Sequence, residues 1–145
     1  MNRVAGKIAL VTGGGSGMGA ASCEMLAAEG ATVIVTDVNL GSAQQVASRI
    51  GDRAIAIKLN VASEADWQAV TADVQHRFGK LDILFNNAGI IRDKSLIKMD
   101  PDAWRTVLDV HLNGAYHVTR PAFAVMKEQG YGRIIMTTSA AGLYG

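Results

Sequence analysis

A single cysteine, Cys23, stands among 145 residues, so no internal disulfide can form and a reducing compartment suits the chain. Neither sign of charge dominates: 14 Lys and Arg face 13 Asp and Glu, a net charge of +1. That balance gives no electrostatic footprint for nucleic acid or for an anionic membrane. No apolar run approaches the roughly 18 residues that a membrane span needs. The opening Met1-Asn2-Arg3-Val4-Ala5-Gly6-Lys7 has no apolar signal core. His76 and His117 have no partner at ligand spacing, so no metal is expected. Repeats, linkers and low-complexity tracts are absent too. What remains, 49% hydrophobic and 19% charged residues, is the composition of an ordinary globular protein, expected to be soluble and cytoplasmic. Residues 1–145 read as one domain.

Strand-like and helix-like segments alternate along the chain. Ile8-Ala9-Leu10-Val11 is short, apolar and closed by a glycine-rich turn, the pattern of a buried strand. A helix is expected over 20–29, with Cys23 buried and inert beside Met25 and Leu26. Thr32–Thr36 is β-branched, as parallel strands are. Ala43, Val46, Ala47 and Ile50 recur at helical spacing before Gly51, and Ala54–Leu59 gives a third strand. Ser63 is a candidate N-cap for a helix burying Trp67, Val70 and Val74. Leu81–Phe85 and Arg133–Thr138 are the fourth and fifth strands. Between them, Asp100-Pro101 opens a helix expected to run toward Lys127. Trp67, Trp104, Phe78 and Phe123 fall at helical spacing and read as core or interface. Strict alternation predicts an α/β, doubly wound parallel sheet with helices on both faces.

The turn after strand one is Thr12-Gly13-Gly14-Gly15-Ser16-Gly17-Met18-Gly19. Glycines there let the chain turn sharply and let backbone N–H groups approach a pyrophosphate at a helix N-terminus. A glycine string alone is weak evidence, since a flexible loop would look the same. Its place between a strand and a helix gives it weight. Thr12, Gly13, Ser16, Gly17, Met18 and Gly19 are therefore candidate dinucleotide contacts. Asp37 closes strand two, eighteen positions beyond Gly19. A carboxylate at that point accepts hydrogen bonds from both ribose hydroxyls and repels a 2′-phosphate, so NAD is expected rather than NADP. The bland alternative is a strand-end cap.

Thr12-Gly13-x-x-x-Gly17-x-Gly19 followed by Asn86-Asn87-Ala88-Gly89 resembles the short-chain dehydrogenase/reductase family, over the whole chain and in the right order. The resemblance implies a seven-stranded Rossmann sheet, of which this chain would hold the first five strands. It implies that Asn86, Asn87, Ala88 and Gly89 shape the cofactor pocket and steady the sheet. Asn60, with Val61 beside it, stands where the family usually has Asp; an amide there can still contact adenine. Ser139, in Thr137-Thr138-Ser139-Ala140-Ala141-Gly142, matches the family's catalytic serine, which would hold the substrate oxygen for hydride transfer. His111 stands where the family commonly has an asparagine that helps hold a proton-relay water. It is either that group's substitute or a satisfied helix histidine, and Asn113 is two positions off.

The family's general acid/base is a tyrosine in Tyr-x-x-x-Lys, about a dozen residues after the serine. The 145 residues contain no such motif, and Tyr144 stands too close to Ser139. Losing a general acid costs roughly 10²–10⁴-fold, so these residues alone are expected to be inactive. The chain is expected to be a cut copy of a working enzyme rather than a non-catalytic NAD-binding module with its natural end at Gly145. The stretches Ile90-Ile91-Arg92-Asp93-Lys94-Ser95, Val110–Tyr116 and Tyr131–Ser139 resemble most the (3R)-hydroxyacyl-CoA dehydrogenase part of multifunctional β-oxidation enzymes. A 3-oxoacyl-thioester reductase is the alternative. A small-molecule substrate, an acyl-CoA, is implied, together with a homo-oligomer formed through the 101–127 helix.

Overall fold

The computed structural model describes residues Met1–Tyr144; Gly145, the last residue of the expected domain, lies outside them. Five parallel strands form one sheet in the order β3-β2-β1-β4-β5. They are β1 (Ile8–Thr12), β2 (Thr32–Asp37), β3 (Ala54–Lys58), β4 (Ile83–Asn86) and β5 (Arg133–Met136). β1 lies at the centre, with Leu10 between Ile34 of β2 and Leu84 of β4. The chain winds outward from β1 to β3, then crosses back to place β4 on the other side of β1. That reversal opens a crevice at the strand ends, where open α/β sheets bind ligands.

Alternation along each strand divides the core into two layers. Ile8, Leu10, Ile34 and Leu84 face α3 (Glu64–Phe78) and α5 (Gly114–Glu128), meeting Trp67, Val70, Val74, Val118, Ala122 and Met126. Ala9, Val11, Val33, Val35 and Ile83 face α1 (Gly17–Ala28) and α2 (Leu40–Ile50), meeting Ala20, Cys23, Ala27, Ala43 and Val46. The doubly wound architecture follows directly from the apolar strands. Among the described residues, no helix is long and apolar enough to cross a membrane.

Ser63 and Asp100 cap their helices as the sequence pattern predicts, and the structure adds Asn39 and Gly79. Asn39, Ser63 and Asp100 each accept a backbone N–H in the first turn of α2, α3 and α4 (Pro101–Leu108). Gly79 ends α3 in the left-handed conformation at φ +66°.

The helix expected from Asp100-Pro101 toward Lys127 runs without a break over residues 101–128, but not as α-helix throughout. Between α4 and α5 the backbone takes a π-helical turn over Asp109–Asn113, whose one extra residue re-aims the side chains it carries, His111 among them. Gly114 resumes the α-helix packed on Val61, with no room for a side chain: an added Cβ would come within 2.9 Å of Val61 Cγ2. Trp67 and Phe78 belong to the core, whereas Trp104 (54% exposed) and Phe123 (57%) lie on the outer face.

The end of the sheet away from the crevice is fixed by Asp82, a residue with no signal in the sequence pattern. Its carboxylate is buried, accepts the Ile8 N–H at 2.9 Å and pairs with Lys80 at 3.0 Å and Lys7 at 3.6 Å. Burial alone would raise its pKa, but the Ile8 N–H and the two ammonium groups together hold it below the usual carboxylate range.

Candidate active site

The ends of β1, β2, β4 and β5 open into one cleft of about 1000 Å³. Thr12, Gly13, Ser16, Gly17, Met18, Gly19, Asp37, Asn60, Val61, Asn87, Ala88, Gly89, His111 and Ser139 all line it. Residues picked from six separate stretches of sequence therefore converge on one place, at the crossover between β1 and β4.

The glycine turn is built by close contact on one side and open space on the other. Gly13 takes φ +61°, and a Cβ there would lie 2.9 Å from Ala88 Cα. A Cβ on Gly19 would collide with the Gly13 carbonyl oxygen and come within 2.6 Å of Asn87 Nδ2. Gly17, at φ +51°, differs: an added Cβ would meet nothing within 4 Å. Gly13 and Gly19 thus hold the turn against its own protein, while Gly17 turns the chain beside an open space. Ser16 is the N-cap residue of α1 but makes no side-chain cap bond, and the helix's first turn carries no acid. Its leading N–H groups lack the side-chain partners that the starts of α2, α3 and α4 possess.

Asn87 and Thr12 fasten the turn to the end of β4. Asn87 Nδ2 donates to the carbonyls of Thr12 (3.1 Å) and Gly13 (3.2 Å). Thr12 Oγ1 accepts the N–H groups of Asn87 and Ala88, both at 3.0 Å. Asn86, buried behind them, donates through Nδ2 to Thr119 Oγ1 and Met136 Sδ, each at 3.2 Å, and so ties β4 to α5 and β5.

Asp37 does more than end β2. Its Oδ2 accepts the Gly15 N–H at 3.0 Å and its Oδ1 the Asn39 N–H at 2.9 Å. Each carboxylate oxygen has a further lone pair, so both can still take a hydroxyl donor. The strand-end cap and the ribose acceptor are compatible roles of one side chain.

Asn60 forms a local turn, its Oδ1 accepting the Ala62 N–H at 3.1 Å, which leaves its NH₂ group as a donor beside the cleft. Its backbone N–H donates to Asp66 Oδ2, and this bond, with that from the Ser63 hydroxyl, holds the Asp66 carboxyl below its usual range.

His111 projects from the π turn onto the loop after β4. Its Nε2 lies 3.0 Å from Ile90 N and 2.8 Å from Ile90 O, and its ring occupies the space a Cβ on Gly89 would need. Ser139, exposed beyond β5, accepts the Ala141 N–H at Oγ (3.2 Å), and its own hydroxyl proton is left to donate. Cys23 sits beneath the turn, where a Cβ on Gly14 would approach its Sγ to 3.1 Å. Burial pushes its thiol up to about 12, which makes it a packing residue.

The pattern reading missed the apolar lining, such as Val38, Leu59, Ile91 and Met136, because nothing distinguishes these residues from core by type. It also missed Arg92, whose place in the cleft depends on the course of the loop after Gly89.

An open turn, uncapped N–H groups and an acid on the neighbouring strand fit a dinucleotide: this is a Rossmann protein of the kind that holds nicotinamide cofactors. The chain belongs to the short chain dehydrogenase family, whose pattern it matches over residues 7–145. It is 43% identical over 141 residues to the peroxisomal hydratase-dehydrogenase-epimerase of Neurospora crassa, covering 97% of this chain and 15% of that one. It is 41% identical over 155 residues to the peroxisomal multifunctional enzyme type 2 of Drosophila melanogaster, covering 99% and 25%. With the 3-oxoacyl-[acyl-carrier-protein] reductase of Escherichia coli it shares 37% identity over 140 residues, covering 97% and 57%. The chain thus spans from 15% to 57% of the length of these relatives.

Proposed function

We propose that the cleft binds NAD and that the protein oxidises a (3R)-hydroxyacyl-CoA to the 3-oxoacyl-CoA, or runs the reverse reduction. When bound, the nicotinamide accepts or gives the hydride. The observation that carries the reading is the pairing of the open glycine turn with Asp37 on the next strand. N–H groups of the turn and of the start of α1 take pyrophosphate oxygens, Asp37 takes the ribose hydroxyls, and Asn60 with Val61 borders the adenine. A 2′-phosphate would meet the Asp37 carboxylate directly, which disfavours NADP. Ser139 donates a hydrogen bond to the substrate oxygen, and so favours the geometry in which carbon faces the hydride. His111 holds the Gly89–Ile90 backbone that walls this region.

The thioester substrate rests on relatives whose names include a dehydrogenase and a 3-oxoacyl reductase. The reductase reading uses the same site in the other direction, and NADPH preference would favour it. Trp104, Leu108, Leu112, Tyr116 and Phe123 are exposed along α4, the π turn and α5, and we assign to this apolar stripe the pairing of two copies. A cytoplasmic location belongs to the same proposal and is checked by fractionation, since two relatives are named as peroxisomal. The direct test is oxidation of (R)-3-hydroxybutyryl-CoA by the intact protein, followed as NADH formation. Steady NADH formation with that enantiomer supports the reading; oxidation of simple secondary alcohols but not of the thioester removes the substrate.

A further inference from the structure

The cleft is electrically lopsided. Among its lining residues Asp37 is the one carboxylate and Arg92 the one guanidinium, and no lysine reaches it. They stand on opposite sides of the crossover. Asp37 ends β2, whereas Arg92 follows β4, on the side of the sheet where β5 leads to Ser139. Neighbouring strands are about 4.8 Å apart, so β2 and β4, with β1 between them, are separated by roughly 10 Å. Arg92 thus leaves the sheet from the β4 side, which Ser139 shares, and not from the β2 side that Asp37 ends.

Arg92 is carried by a backbone that is held almost up to it. Asn87 and Ala88 are bonded to Thr12, Gly89 packs on the His111 ring, and Ile90 is in hydrogen-bond contact with His111 Nε2. Arg92 lies two residues farther, within about 7 Å of chain from that last anchor. Its guanidinium donates to the Ile91 carbonyl at 2.9 Å, a bond that uses one of five N–H donors. Among the described residues it enters no ion pair, whereas Lys94, two positions on, is committed to Asp100 at 2.6 Å. Asp93, the nearest acid in sequence, is exposed and does not line the cleft. Ile91, 74% exposed, sets an apolar side chain beside the cation.

A guanidinium with free donors next to an apolar surface suits a ligand with an uncharged arm that ends in phosphate. We infer that Arg92 is a substrate-binding residue that grips a phosphate of coenzyme A and so sets the acyl thioester toward Ser139. The inference rests on the thioester reading above and adds to it the residue that recognises the carrier. Arg92 touches no reacting atom, so its contribution is to binding and not to the rate of the hydride step.

The test compares acetoacetyl-CoA with S-acetoacetyl-N-acetylcysteamine, which keeps the thioester and lacks every phosphate, in the intact protein with NADH. In Arg92→Ala the preference for the CoA thioester, read as the ratio of the two KM values, falls about tenfold, as loss of a charge-assisted contact predicts. Arg92→Lys restores part of it, and the preference weakens with added salt. An unchanged ratio, or an equal loss on both thioesters, overturns the assignment. Should the protein reduce neither thioester, the substrate reading fails by itself, and calorimetric titration with coenzyme A alone decides Arg92. Binding weakened about tenfold by Arg92→Ala supports the site; no binding, or binding indifferent to the substitution, removes it.

Discussion

His111 Nε2 lies within hydrogen-bond distance of both polar atoms of Ile90, 3.0 Å from the nitrogen and 2.8 Å from the oxygen. One ring nitrogen satisfies only one of them at a time: without its proton it accepts the Ile90 N–H, and with it, it donates to the carbonyl. Either way the π turn of the long helix is bonded to the loop that leads into the cleft. His111→Ala frees this loop, and amide exchange at Ile90 speeds up while exchange in β1 and β4 does not. Unchanged exchange at Ile90 would mean that the histidine does not hold the amide.

The glycine turn predicts a contrast between two similar substitutions. Gly13→Ala drives a methyl group to 2.9 Å from Ala88 Cα at positive φ, so thermal unfolding should show a loss of about 2–3 kcal/mol. Gly17→Ala has positive φ but no collision, and should cost about 1 kcal/mol. Its methyl group enters the open space instead, so nucleotide binding suffers more than stability. Equal stability losses would contradict the distinction between the two sides of the turn.

Asn87→Ala removes both bonds to the Thr12 and Gly13 carbonyls, and should destabilise the fold by about 1–3 kcal/mol in denaturant titration. Asn87→Asp keeps the size but loses the donors, and should be no better. A neutral Asn87→Ala would show that Thr12 alone fastens the turn.

Acid should act through the carboxylates held below their usual range. The bond from Lys94, with that from the Ala103 N–H, brings Asp100 to about 2, and Asp82 is lowered by the Ile8 N–H and its two lysines against its burial. A depressed carboxylate contributes stability above its unfolded pKa of about 4, and that contribution is lost as pH falls through the folded value. The Asp100 contribution should therefore fade between about pH 4 and pH 2. Asp100→Ala and Asp82→Asn should each flatten the loss of stability measured from pH 5 downward. Parallel wild-type and variant curves over that range would show the two carboxylates to be inert.

With its thiol pushed up to about 12, Cys23 should resist alkylation by iodoacetamide at pH 8 in the folded protein and react once unfolded. Mass spectrometry reads both states. Rapid native modification would place the thiol in solvent.

The sheet and the glycine turn were legible because each rests on a local rule. Apolar runs such as Thr32–Thr36 are read from residue type, and the turn from its place between strand and helix. Asp37 was found by distance from the turn, although its bonds to Gly15 and Asn39 were not, since one depends on how the glycine turn lies against β2 and the other on where α2 begins. Ser139 and His111 entered through resemblance alone; as single residues they have no pattern. The π turn escaped because one added residue shifts the apolar spacing of the long helix by less than the spacing itself varies. Asp82 escaped because a charged residue beside a strand looks solvated until the fold shows what stands opposite, and Arg92 because its place in the cleft depends on the course of the loop after Gly89.

The account turns on Asp37 beside an open glycine turn, and the measurement that tests it most directly is a fluorescence titration of the protein with NADH and with NADPH. Tighter binding of NADH by about tenfold or more, narrowing in Asp37→Asn, is the predicted result. Equal affinities, or tighter binding of NADPH, would contradict it.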